Sequence, residues 1–240
     1  MTYGECPLRR ISQCMRIRSV ARALMSDTVD YYPIMMDLQD RDCLVVGGGQ
    51  VATRKVQGLL QCGARVTVVA PSLAPELAAL VESGSICFQD RDYVPSDMEG
   101  KSLAIAATDD RAVNQEVSRE AKARSIPVNV VDQPGLCSFI VPAIHRDGDL
   151  CVAVSTGGRS PGAAAQIRDE IARSLGPGYG DYLALVGEAR NKLKEFCTDP
   201  ARRRAALAKL TDGRLLDLVR RGDAHRAKEL IQEWLSSELD

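Results

Sequence analysis

The six residues Gly47-Gly48-Gly49-Gln50-Val51-Ala52 constrain this chain more than any others. They fit the pattern G-x-G-x-x-G/A. The apolar run Cys43-Leu44-Val45-Val46 precedes them, and a helical pattern follows, with Val51, Val56, Leu59 and Leu60 on one side and Gly63 as its stop. In such a strand–turn–helix the first glycine makes the tight turn. The second lets a pyrophosphate approach the backbone, and the small third residue lets helix pack on strand. The N–H groups and the dipole at the helix start favour the anion. Gly47, Gly48 and Gly49 are therefore read as a dinucleotide site, with a purely structural turn as the alternative. A ribose-binding Asp or Glu is expected about 20 residues further on. Val69-Ala70-Pro71-Ser72 stands there instead, and the nearest acid is Glu76. The ribose is left to backbone groups or to Ser72, and the pattern alone does not decide between NAD and NADP.

The segments that follow repeat the same grammar. Arg65–Val69, Ile86–Gln89, Leu103–Ala107 and Pro127–Asp132 read as strands, and Pro75–Glu82 and Arg111–Ser125 as helices between them. Short apolar strands alternating with helices make βαβ units and a parallel sheet, buried on both faces. After Asp132 the grammar changes. Phe139–Ile144 and Leu150–Val154 flank an Asp-Gly turn and read as a hairpin, with Pro142 at an edge or bulge. Ser160 and Pro161 open a helix as N-cap and first residue, and it runs to Leu175 before Gly176-Pro177-Gly178. Residues 181–240 read as all-helical, with basic and acidic residues interspersed as on a solvated face.

The fold class is thus α/β. A doubly wound parallel-sheet Rossmann domain is expected at 29–137, a small α+β hairpin–helix region at 138–176 and a helical region at 177–240. An N-terminal extension, 1–28, stands apart. It carries Arg9, Arg10, Arg16, Arg18 and Arg22 against Glu5, and it lacks the continuous apolar stretch of a secretory signal. It reads as a disordered tail, or as sequence upstream of a start at Met25.

Several function classes drop out. The net charge of −1 lacks the basic excess of a nucleic-acid-binding chain. Two histidines, His145 and His225, exclude a His-rich metal site, and no permanent metal site is expected. The eight cysteines show no CxxC pair, and several lie inside apolar runs. They read as free thiols of a reducing cytoplasm. No run approaches the roughly 20 apolar residues that span a bilayer.

Ligands of doubly wound sheets bind beyond the carboxyl ends of the strands. Thr108, Asp109 and Asp110 follow the fourth strand, and the two acids also suit helix capping. Asp132 is read as ending the fifth strand, where an acid would face a bound nicotinamide; its alternative reading is a turn residue. Ser155-Thr156-Gly157-Gly158-Arg159 precedes the 161–175 helix and reads as a second anion site or a flexible connection. Arg54, Lys55, Arg146 and Arg159 are cations available to a polyanionic substrate.

The stretch Asp42–Lys55 resembles the siroheme synthase N-terminal module, a precorrin-2 dehydrogenase that is often also a sirohydrochlorin ferrochelatase. Four further blocks match in family order: Ala106–Asp110, Asn129–Asp132, Ser138–Ala143 and Val152–Pro161. The resemblance covers about Tyr32 to Leu193. It implies NAD-linked oxidation of precorrin-2 to sirohydrochlorin, with Fe2+ as the substrate of a following chelation. It also implies a homodimer, with 138–176 as its central dimerisation and active-site region. It marks Asp132 as the essential aspartate of both steps and Gln50, Val51, Pro71 and Ser72 as cofactor contacts, to which Thr108 is added. Thr156 stands where some members carry a phosphorylated serine, a departure that leaves the modification open here. The methyltransferase domain of fused synthases would not fit before Asp240, which implies that precorrin-2 is made elsewhere. Two alternatives remain: a dehydrogenase without chelatase activity, and a non-catalytic NAD-sensing module.

Overall fold

The computed structural model describes residues 30–211 and 213–239, so the N-terminal extension lies outside the described residues. The chain divides into two compact units between Val141 and Pro142.

The first unit is built on β1 (Asp42–Val46), β2 (Arg65–Ala70), β3 (Cys87–Asp90), β4 (Leu103–Ala106) and β5 (Val128–Val130). All pairings are parallel, and the order is β3-β2-β1-β4-β5. Strand order therefore reverses direction beside β1, between it and β4, which is where doubly wound sheets form a ligand crevice. The continuous apolar runs hide a period of two. Cys43, Val45, Val66, Val68 and Ile105 pack on one face with Ala52, Val56 and Leu59 of α1 (Gln50–Leu60) and Leu77 of α2 (Pro75–Glu82). Leu44, Val46, Val69, Ala104 and Val128 pack on the other with Val117 and Ala121 of α3 (Arg111–Ala123). Gly63 ends α1 as the sequence requires. Its φ is +73°, its N–H donates to Leu60 O at 2.9 Å, and Ala64 N–H donates to Leu59 O at 3.2 Å, the paired bonds of a Schellman stop.

Two sequence expectations need correction here. Strand β5 stops at Val130, so Asp132 lies two residues beyond it, in a left-handed turn with φ +57°. The last rung of the ladder is Val131 N–H to Ala106 O at 2.9 Å, after which Gln133 N–H turns back to Val130 O. Phe139–Pro142 is not a strand. Instead the residues just before it close the open edge of β5. Ser138 N–H donates to Val128 O and Ser138 Oγ accepts from Val128 N–H, both at 2.8 Å. Cys137 Sγ accepts from Val130 N–H at 3.2 Å and lies 3.3 Å from Val130 O. An edge strand whose outward groups are used in this way offers little to another chain.

The second unit opens with the antiparallel pair β6 (Ala143–Asp147) and β7 (Leu150–Val154), so the hairpin strand starts after Pro142 rather than running through it. Proline has no N–H for a ladder. Gly148 takes φ +54° in the two-residue turn, and a Cβ there would sit 2.7 Å from Gly180 Cα. Helix α4 (Pro161–Leu175) has the expected cap, Ser160 Oγ accepting from Ala163 N–H at 3.2 Å. Four helices follow: α5 (Tyr179–Phe196), α6 (Pro200–Leu210), α7 (Arg214–Arg220) and α8 (Ala224–Leu239). Leu193, Leu210, Leu215 and Ala227 are at most 1% exposed at their centre. Asp147 Oδ2 accepts from Tyr179 N–H at 2.9 Å and so caps α5 from the hairpin.

Candidate functional site

The three glycines of the turn do three different jobs. Gly47 adopts φ +116°, and a Cβ on it would stand 2.3 Å from Ala107 O. A Cβ on Gly48 would stand 1.9 Å from Ser72 O, because Gly48 O accepts from Ala74 N–H at 2.7 Å and draws the β2–α2 loop against the turn. Gly49 faces open space, with nothing within 4 Å of where a Cβ would be. It is also the N-cap of α1 and offers no side chain to it, so the first N–H groups of the helix are left for another acceptor. Ala52 behind them is fully buried, and Thr53 Oγ1 donates to Gly49 O at 3.1 Å. An open space in front of uncapped helical N–H groups fits a pyrophosphate.

Pro71 and Ser72 are exposed at the β2 end of this crevice, with Val51 half-buried and Gln50 exposed on the first turn of α1. Gln50 Nε2 donates to Glu76 Oε2 at 3.0 Å. In the sequence Glu76 stands only as the nearest acid to Val69–Ser72, with no role assigned. The contact joins residues 26 apart, and no local pattern signals it.

On the other side, Thr108 is tied into the start of α3. Its Oγ1 lies 3.0 Å from Asn114 Oδ1 and accepts from Asp110 N–H at 3.1 Å, and its O accepts from Asn114 Nδ2 at 2.9 Å. Its hydroxyl is therefore engaged within the loop. Asp110 caps α3 as expected, accepting from Ala112 N–H at 2.8 Å. Asp132 is exposed on the loop beyond β5. Lys55 of α1 is half-buried. Burial holds the Lys55 ammonium below the ordinary lysine range, and Arg54 adds to that, while Asp132 and Cys137 act in the opposite sense.

Ser155, Thr156, Gly157, Gly158 and Arg159 lie in the second unit as a self-bonded turn. Gly157 and Gly158 take φ +63° and +82°. Ser155 Oγ accepts from Gly157 N–H, and Thr156 Oγ1 accepts from Ser160 N–H, both at 3.1 Å. Thr156 Oγ1 also donates to Ser160 O at 3.0 Å, and Arg159 N–H donates to Thr156 O at 3.2 Å. The N–H groups of Gly157, Arg159 and Ser160 are thus bonded inside the turn. The exposed Arg159 side chain is what an anion would meet. Among the described residues no group of three or more His, Cys, Asp or Glu could hold a metal ion. No helix among them is long and apolar enough to cross a membrane.

Comparison with known proteins gives three consecutive family matches. Residues 34–143 match a putative NAD(P)-binding family, 147–174 the sirohaem biosynthesis protein central family and 178–235 the sirohaem synthase dimerisation region. Siroheme synthases from Thioalkalivibrio sulfidiphilus and Pseudomonas aeruginosa are each 44% identical over 88% of this chain, which covers 43% and 45% of them. That of Methylococcus capsulatus is 41% identical over 85% of the chain and is 43% covered. The chain thus spans a little under half the length of these relatives. Among solved structures, SirC, a precorrin-2 dehydrogenase, superposes with a TM-score of 0.70 at 28% identity, over 85% of this chain and 98% of its own.

Proposed function

The chain belongs to the siroheme synthase family, and from that premise we propose that it oxidises precorrin-2 to sirohydrochlorin with NAD. The observation that carries this reading is the open space at Gly49 in front of the uncapped start of α1. The pyrophosphate place at Gly49 lies at the β1 switch point, and the exposed Asp132 lies beyond β5, on the opposite side of that point from β2. In this reading Gly49, Gln50 and Val51 hold the pyrophosphate through N–H groups. Pro71 and Ser72 line the adenosine side, and Thr108 contributes backbone near the nicotinamide.

Oxidation of the tetrapyrrole removes a hydride and a proton. A nicotinamide held at the glycine turn would supply the hydride acceptor. Asp132 takes the proton, held in place by a loop that Cys137 and Ser138 anchor to β5. The exposed Arg159 of the second unit offers a cation to an anionic ligand. Fe2+ insertion into sirohydrochlorin follows at the same carboxylate, which passes its proton to water after the oxidation and then relays the two displaced pyrrole protons to solvent one at a time. The enzyme acts as a cytoplasmic homodimer, a reading supported by the dimerisation-region match over 178–235.

The test is an anaerobic assay with precorrin-2 and NAD, followed by absorbance, with Fe2+ added afterwards. The expected result is NADH formation at the rate of sirohydrochlorin formation, then the spectrum of the iron product. NAD binding without turnover would make the chain a sensor. Turnover without faster iron insertion than in buffer would leave a dehydrogenase alone.

A further inference from the structure

The glycine turn lacks the acid that ordinarily ends the second strand, since Val69-Ala70-Pro71-Ser72 occupies that place. We propose that Glu76, the second residue of α2, supplies this carboxylate from the helix instead, and thereby makes the turn select a dinucleotide with a free 2′-hydroxyl over one bearing a 2′-phosphate. The inference rests on the dinucleotide reading above.

Three observations support it. Ala74 N–H donates to Gly48 O at 2.7 Å, which clamps the start of α2 onto the glycine turn two residues before Glu76. Gln50 Nε2 donates to Glu76 Oε2 at 3.0 Å, which holds the carboxylate beside the first residue of α1, where the pyrophosphate place opens at Gly49. Glu76 also follows β2, on the side of the sheet where the adenosine half of a dinucleotide lies when its pyrophosphate sits at β1. The bond from Gln50 engages one carboxylate oxygen. An ionised carboxylate has about four acceptor positions, so capacity remains for ribose hydroxyls. A hydroxyl donating to it makes a charge-assisted bond, whereas a 2′-phosphate in the same place brings like charges together. No Arg or Lys occurs between Val69 and Pro75 to offset that repulsion.

Reduced-nicotinamide fluorescence reads binding without turnover. NADH and NADPH are titrated into the wild-type chain, Glu76→Gln and Gly49→Asp, with circular dichroism to establish that each is folded. The wild type is expected to bind NADH at least roughly tenfold tighter than NADPH. Glu76→Gln should weaken NADH roughly ten- to a hundredfold, the scale of one hydrogen bond to a charged group, and bring NADPH to near parity. A merely structural Gln50–Glu76 contact would weaken both cofactors alike and leave the ratio unchanged, and that outcome overturns the proposal. A wild type that binds neither cofactor, or a folded Gly49→Asp that binds NADH as the wild type does, overturns the dinucleotide reading itself.

Discussion

At the residue scale, neighbouring glycines differ in what they can lose. A methyl group on Gly48 would overlap Ser72 O, a backbone atom that cannot swing away, while one on Gly49 meets nothing. Gly48→Ala should therefore cost at least about 2 kcal/mol of stability, as forced overpacking does, whereas Gly49→Ala should be near neutral in chemical denaturation. Equal costs for the two would show that the turn relaxes in a way this geometry does not allow. Asp132 is the second test at this scale. Its place in a left-handed turn beyond β5 serves no cap or ladder, so Asp132→Asn should leave the fold intact. General base catalysis is worth about 10²–10⁴-fold, and precorrin-2 oxidation should fall by that order with NADH affinity nearly unchanged. If iron insertion into supplied sirohydrochlorin falls with it, one carboxylate serves both steps. Unchanged oxidation in the folded variant would reduce Asp132 to a turn residue.

At the element scale, the edge of β5 is sealed by a side chain and a thiol instead of a sixth strand. Cys137→Ala leaves Val130 N–H without its acceptor, and should cost about 1–3 kcal/mol, the penalty of an unmet buried donor. The amide of Val130 should then exchange faster than that of Val45 in the sheet centre; equal protection would show that Cys137 is not what holds the edge. The crossover from β3 to β4 carries a pH-dependent element. Hydrogen bonds from Arg91, and then from Val94 N–H, hold the Asp97 carboxyl below its ordinary value against the opposing effect of burial. A carboxyl lowered in the folded state contributes stability that is present above its unfolded value, about 4, and is lost as pH falls through the folded value. Asp97→Asn should flatten the acid limb of a stability–pH curve, and an unchanged limb would assign acid sensitivity elsewhere. Such contacts mark where sequence reading stops. The strand runs, the Ser160-Pro161 start, the Pro75–Glu82 helix and the Gly63 stop are legible because each depends on residues a few positions apart. The turn at Asp132, the sealing of β5 and the Gln50–Glu76 bond depend on residues that meet only after the sheet forms. Pro142 misled for the opposite reason: its apolar neighbours resemble a strand, but the ladder needs an N–H that proline lacks.

At the scale of the whole molecule, the glycine turn and Asp132 both belong to the first unit, while the second carries the matched dimerisation region. The hairpin of the second unit has no fully buried residue. A two-stranded sheet is marginal in water unless something packs on it. Helix α4 packs against both strands, yet Ile144 is still 38% exposed, its cross-strand partner Ala153 is exposed too, and Ile167 on α4 is 42% exposed. Apolar surface left open on the unit that carries the dimerisation region suits a face covered by the second copy. Ile144→Glu would place a charge on that face without touching the core of α5–α8. The expected outcome is a shift from dimer to monomer in sedimentation velocity at micromolar concentration. NADH affinity should stay within about twofold of the wild type, since every residue of the glycine turn lies in the first unit. A variant that stays fully dimeric would move the interface away from the hairpin. A monomer that had also lost NADH binding would mean that the turn depends on the partner subunit, against the reading that one chain holds the cofactor alone.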